Sequence, residues 1–244
     1  MPYFYYGYGS NWTLFYILFF AVAIFSVWAQ YKVNSTFKKY SKVQAYNGKT
    51  GRQAAEMVLA ANDVRGVTFG KTAGSLTDHY DPKTKSINLS EPVYDKSSVA
   101  ALGVAAHEAG HAVQDAKAYG PLRLRHAIVK TTNIASNLAV PLIMIGLLLM
   151  AFSNGTLGLT IANIGVIAFS AISFFQLVTL PVEFNASRRA VVALSESGTM
   201  DDDEIKGVKK VLTAAALTYV AALAASLVNL LRMVLLVNGG RRRD

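Results

Sequence analysis

Three uncharged apolar runs, residues 13–29, 134–152 and 157–180, constrain this chain more than anything else in it. Each is about the length a helix needs to cross a hydrocarbon layer roughly 30 Å thick. In that layer no water satisfies backbone N–H and C=O groups, so such runs must be helical and retain every main-chain hydrogen bond within the segment. Trp12 and Trp28 stand at the two ends of the first run, where aromatic belts sit at membrane interfaces. A secretory signal would carry positive charge before its apolar core, but here Lys32, Lys38, Lys39 and Lys42 follow it. The segment therefore reads as a retained membrane helix with its N-terminus outside. A fourth apolar stretch, 211–237, carries Arg232 near its end and is followed by Arg241 to Arg243. It spans completely, placing those arginines outside against the positive-inside tendency, or it is partly re-entrant or a core helix.

With 52% hydrophobic and 16% charged residues, the chain is too apolar for an ordinary soluble domain. Its net charge of +9 clusters beside the apolar spans, where topology explains it, so nucleic-acid binding is not expected. The absence of cysteine excludes disulfides and thiolate ligands, leaving His, Asp and Glu to hold any metal. The expected class is an α+β integral membrane protein, mainly helical, with three or four transmembrane helices and a small domain that holds a short β-sheet. Its expected parts are an N-terminal span (1–31), a water-facing domain (32–130), a transmembrane hairpin (131–182), a helix with an acidic loop (183–210, the loop over 195–204), and a C-terminal apolar helix with a basic tail (211–244). Within 32–130, Thr50-Gly-Arg-Gln53 is a capping-box pattern ahead of a helix over 54–61. Residues 67–69, 75–80 and 86–89 read as short strands, the last two joined by the turn-forming Asp81-Pro-Lys-Thr-Lys85. Such a sheet holds an extended peptide along a free edge or only packs against the next helix. Ser97 or Ser98 caps that helix, which runs to about Ala118 before Gly120-Pro121.

That helix contains His107-Glu-Ala-Gly-His111, two of the chain's four histidines in an H-E-x-x-H pattern. Residues four apart lie on one helical face, so His107 and His111 reach one metal ion while Glu108 projects beside it as a general base. A chance match on a structural helix is the alternative. Glu183 follows the third run within about one helical turn, and a carboxylate there is costly unless paired or metal-bound. It is the best third ligand; otherwise it pairs with Arg188 or Arg189.

These segments closely resemble the YugP-type neutral zinc metallopeptidases, and more distantly the HtpX-like and CAAX-prenyl protease group of membrane gluzincins. The resemblance rests on Leu76-Thr-Asp-His-Tyr-Asp-Pro82, Ile87-Asn-Leu-Ser90, Ala105-Ala-His-Glu-Ala-Gly-His-Ala-Val-Gln114 and Leu180-Pro-Val-Glu-Phe-Asn-Ala-Ser187. In the wider group the last motif supplies the third zinc ligand and ends in Asp. Here the ligand position is Glu183 and the Asp position is Ser187. A serine would support a ligand histidine more weakly than an aspartate. The resemblance implies that 32–130 is a zincin-like catalytic domain with a short β-sheet before the H-E-x-x-H helix and that 183–210 begins with the third-ligand helix. It further implies one zinc per chain held by His107, His111 and Glu183, with hydrolysis by a zinc-activated water and Glu108 moving the proton. His79, His126, Arg188 and the tyrosines are candidate oxyanion donors. Substrates would be membrane proteins or membrane-proximal peptides, and the lipid bilayer a constant partner. Basic residues flank the spans on the domain side, which places the active site on the cytoplasmic face of a bacterial plasma membrane. Two other readings differ in class. A site-2 type intramembrane protease takes an Asp ligand from a later apolar helix, and the spans here lack Asp. A membrane scaffold or chaperone-like protein with a structural or vestigial zinc site would want four protein ligands and no Glu108.

Overall fold

The computed structural model describes residues 6–152 and 155–240. The tail Arg241 to Arg243 and the first half of the turn at 153–156 lie outside the described residues. The apolar runs are helical as their composition dictates. Helix α1 spans Tyr6–Tyr40, α5 Gly120–Phe152, α6 Gly155–Glu196 and α7 Asp202–Gly240, and all four are long and apolar enough to cross a membrane. Side chains such as Ile17, Phe20, Ile24 and Val27 on α1 and Ile167 on α6 are exposed, which water would penalise and lipid would not. Between α1 and α5 lie α2 (Gly51–Ala61), β1 (Thr68–Thr72), β2 (His79–Asp81), β3 (Ser86–Ser90), α3 (Glu91–Tyr94) and α4 (Val99–Ala116).

The chain divides into two compact units. One comprises Met1–Trp28, Leu124–Val178 and Val220–Asp244; the other comprises Ala29–Arg123 and Thr179–Tyr219. In the first, α5 and α6 approach with only glycine between their backbones. A Cβ on Gly146 would lie 2.4 Å from the Ala162 nitrogen, and one on Gly158 would lie 2.5 Å from the Met150 nitrogen. Small residues allow membrane helices to gain dispersion contacts that the hydrophobic effect does not supply there.

In the second unit, Val58, Ile87, Leu89, Val93, Leu102 and Val113 are wholly buried in one core shared by α2, the sheet and α4. The Thr50 hydroxyl accepts from the Gln53 N–H and the Gln53 side chain accepts from the Thr50 N–H, the reciprocal cap expected of that pattern. Ser98 caps α4, its Oγ accepting from the Ala101 N–H at 3.2 Å. The sheet has the order β1-β3-β2, with β1 parallel and β2 antiparallel to β3. Strand β2 begins four residues later than the sequence suggests, because Gly74 and Leu76 take positive φ (96° and 59°) and Thr77 Oγ1 turns back to the Ala73 carbonyl. Residues 75–77 are therefore turn rather than strand. The acidic loop expected over 195–204 is also shorter. Asp201 Oδ1 accepts from the Glu204 N–H at 2.7 Å and Glu204 Oε2 from the Asp201 N–H at 2.8 Å, which starts α7 early. Lastly, the third apolar run and the segment carrying Glu183 form one continuous helix, α6, with Pro181 inside it.

Candidate metal centre

Helix α4 is built for close packing: of its eighteen residues, Ala and Gly supply half, and their small side chains let neighbouring elements approach its axis. The closest approach is at Gly110, where a Cβ would lie 2.5 Å from the Ala186 carbonyl oxygen of α6. That backbone contact brings Glu183, one turn earlier on α6, against the α4 face that carries both histidines. His107 Nε2 lies 3.2 Å and His111 Nε2 3.5 Å from Glu183 Oε2, and the two rings meet edge to face at 4.7 Å between centroids. Donor atoms of all three residues lie within 4.8 Å of one another. Ligand atoms about 2.0–2.2 Å from a tetrahedral ion sit roughly 3.3–3.6 Å apart, so the carboxylate-to-imidazole spacings fit a zinc ion. Glu183 is 2% exposed, and a carboxylate so buried needs compensating positive charge or strong hydrogen bonds.

The tautomer of His111 follows from a chain of hydrogen bonds. Arg189 has only donors, so its Nε–H, 2.8 Å from Asn185 Oδ1, fixes that atom as the amide oxygen. Gln114 Nε2 donates to the same Asn185 Oδ1 at 3.0 Å and to the Val182 carbonyl at 2.8 Å. Gln114 Oε1 is then the acceptor for His111 Nδ1–H at 3.0 Å, which leaves Nε2, facing Glu183, as the nitrogen that binds a metal once it gives up its proton. His107 is arranged alike, with Nδ1 3.1 Å from Ser187 Oγ and Nε2 toward Glu183. Each imidazole is thus held on one nitrogen and offers the other, as metal-ligating histidines are. Burial disfavours a charged His111, but Glu183, Glu108 and Gln114 outweigh it and hold the ring above its ordinary pKa. The pocket is electronegative and suits a cation.

Sequence reasoning named His107, His111 and Glu183, and the structure brings all three together. Arg189 is committed to Asn185 through Nε. Glu108 is buried and borders a cavity that it shares with His107. The oxyanion candidates fare differently. His79 Nδ1–H donates to the Thr77 carbonyl at 2.9 Å and Nε2 accepts from Asn88 at 3.3 Å, so its ring nitrogens are engaged by the turn before β2 and by β3. Arg188 is exposed and His126 lies on α5 in the other unit. Tyr219 lines the cavity that Glu108 borders. Gln114 and Asn185 were not foreseen, although a buried polar residue three positions after His111 shares its helical face. The motif around Asp78 proves to be an anchor. Asp78 Oδ1 accepts from the Ser90 N–H at 2.7 Å, and the Tyr80 hydroxyl donates to Asp115 on α4 at 2.9 Å. Burial pushes the Asp78 carboxyl up despite those Ser90 donors.

Residues 15–238 match a protein family described as "Putative neutral zinc metallopeptidase". The chain is also 48% identical over 228 residues to "Putative membrane protease YugP" of Bacillus subtilis (strain 168), covering 93% of this chain and 98% of that one. The chain belongs to this zinc metallopeptidase family. No solved structure matches it. Membership in a neutral zinc metallopeptidase family implies zinc, and the donor set of His107, His111 and Glu183 has the atoms and spacing to accept it. The family's name and the four long apolar helices together describe a peptidase of the membrane.

Proposed function

We propose that the protein is a membrane-embedded zinc endopeptidase that hydrolyses peptide bonds of membrane proteins or membrane-proximal chains at the cytoplasmic membrane surface. The observation that carries this reading is the convergence of two imidazole nitrogens and a buried carboxylate beside a cavity bordered by Glu108. In it, His107, His111 and Glu183 hold one zinc ion. Zinc, when bound, supplies an electrophile and lowers the pKa of water to about 7.

The remaining work belongs to the chain's own groups. Glu108 accepts a proton from the attacking water and returns it to the departing amine as the C–O bond forms and the C–N bond breaks. Its place on α4, directly after His107, fixes the carboxylate beside the metal group rather than within it. Gln114 and Ser187 keep both rings aimed at Glu183. A structural zinc site would use four protein ligands, whereas among the described residues the group has three. That leaves a coordination position for chemistry. The cytoplasmic orientation rests on Lys32, Lys38, Lys39 and Lys42, on Arg123 to Lys130 and on Arg188 to Lys210, all of which flank apolar runs on the domain side.

The test is metal analysis of purified protein together with cleavage of casein and of a membrane-protein substrate, wild type beside Glu108→Gln. Close to one zinc per chain in both, with hydrolysis in the wild type alone, is the expected result. Hydrolysis by Glu108→Gln would remove the general base from the scheme.

A further inference from the structure

Helices α6 and α7 line a groove of about 380 Å³ to which no metal ligand contributes. Phe184, Arg188 and Val192 recur at four-residue spacing on one face of α6, and Lys209, Leu212 and Ala216 at three and four on one face of α7. All belong to one compact unit. The two helices also give the groove its depth. The apolar run of α6 ends at Leu180, and Phe184 lies four residues on, about 6 Å at 1.5 Å per residue. The run of α7 begins at Val211, so Lys209 stands about 3 Å outside it. Both distances fall within the headgroup layer, roughly 5–8 Å thick on each side of the hydrocarbon. Arg188 is one turn further out, and arginine at such a boundary reaches back along its long stem.

Charge and chemistry narrow the occupant. No acid lines the groove, and neither Arg188 nor Lys209 has a hydrogen-bond or ion-pair partner among the described residues. Lys206, one turn away on α7, is by contrast paired with Asp203 at 2.7 Å. Two unpaired cations on one groove attract an anion, and the arginine fork matches a phosphate. Phe184 is exposed, and with Ala216 it leads toward the apolar runs, so an acyl chain lying there passes into hydrocarbon without meeting water. An acidic peptide would instead need partners for its main-chain groups. The groove offers two hydroxyls, Ser187 and Thr213, and Ser187 Oγ already lies 3.1 Å from His107 Nδ1.

We propose that this groove binds one anionic phospholipid, its phosphate held by Arg188 and Lys209 and an acyl chain lying along Phe184 and Ala216. Such binding needs neither zinc nor hydrolysis, only that the apolar runs of α6 and α7 lie in the membrane. In the test, full-length protein in a neutral detergent is titrated with phosphatidylglycerol and with phosphatidylcholine of the same acyl chains, and retained lipid is counted by native mass spectrometry. One phosphatidylglycerol should bind about tenfold or more tightly than phosphatidylcholine, as two basic residues at a membrane surface allow. Arg188→Gln and Lys209→Gln should each weaken it about fivefold, and together about 25-fold. Lys210→Gln removes the same charge one position outside the lining and should leave binding almost unchanged, because solvent screens that residue. Phe184→Gln should weaken phosphatidylglycerol but not inorganic phosphate. If the double variant does not fold, the two single variants decide. Equal binding of the two lipids, or a loss in Lys210→Gln as large as in Lys209→Gln, overturns the site. Inorganic phosphate binding as tightly as phosphatidylglycerol, with Phe184→Gln silent, leaves an anion site and overturns the lipid. A Glu-rich peptide that displaces phosphatidylglycerol and depends on Arg188 and Lys209 gives the groove to a protein partner and overturns it as well.

Discussion

Arg189 is exposed enough to meet solvent at one end, yet it determines which nitrogen of His111 is left to face a metal. The orientation passes from its guanidinium through the two amides of Asn185 and Gln114 to the imidazole, each link fixed because the preceding group has no alternative role. Replacing Gln114 with leucine keeps volume and burial but leaves His111 Nδ1–H and the Val182 carbonyl without their partner. Zinc affinity, read by chelator competition, should fall about 10- to 100-fold, and the d–d spectrum of a cobalt(II) form should change. Zinc affinity equal to wild type would show that the chain of amides is only structural. His107→Ala, His111→Ala and Glu183→Ala should each lower zinc content outright, and full zinc in Glu183→Ala would remove it as a ligand. The histidines and Glu108 were legible because their relation is local, set by one helical turn. Gln114 was not, since its partner Asn185 is 71 residues away and appears only when α6 packs on α4. Ser187 was expected to support a histidine weakly, and the structure shows which: it meets His107 Nδ1.

At the scale of elements, the centre depends on how closely two helices approach. Gly110 carries no side chain where α4 meets the Ala186 carbonyl, and a methyl there would sit 2.5 Å from backbone that cannot rotate away. Gly110→Ala should therefore separate α4 from α6, costing about 1–3 kcal/mol of stability, as overpacking does. Thermal denaturation should register the loss, and zinc content should fall with it because Glu183 travels with Ala186. A Gly110→Ala protein with wild-type zinc and melting temperature would show that the helices adjust without cost. The caps of α2 and α4 were readable from Thr50, Gln53 and Ser98, since capping needs only residues three apart. Strand β2 was misplaced because positive φ at Leu76 is invisible to a pattern of apolar alternation. The pairing of β1 with β3, parallel across an intervening strand, likewise could not be read from short apolar runs whose partners are set by tertiary packing.

For the whole molecule, the apolar runs that dominate the sequence become four long helices, and their flanking charge gives a directional expectation. With no native cysteine to interfere, single-cysteine variants report it directly. Lys83→Cys should be protected from an impermeant maleimide in intact cells and Ser10→Cys should be labelled; the reverse pattern would invert the orientation. Gly146→Leu, placed where α5 and α6 touch, should weaken the hairpin, visible as a lower melting temperature in detergent. The separation between His107 and Glu183, 76 residues, has a temporal meaning. A ribosome that has just passed His111 has produced both imidazoles and Glu108, but not the carboxylate that completes the set. The chain must make α5, turn, and make most of α6 before that carboxylate exists. Until then a growing chain carries two histidines on one helix, two of the three donors and a poor trap for metal. The candidate metal centre is thus completed late in synthesis, by construction order alone.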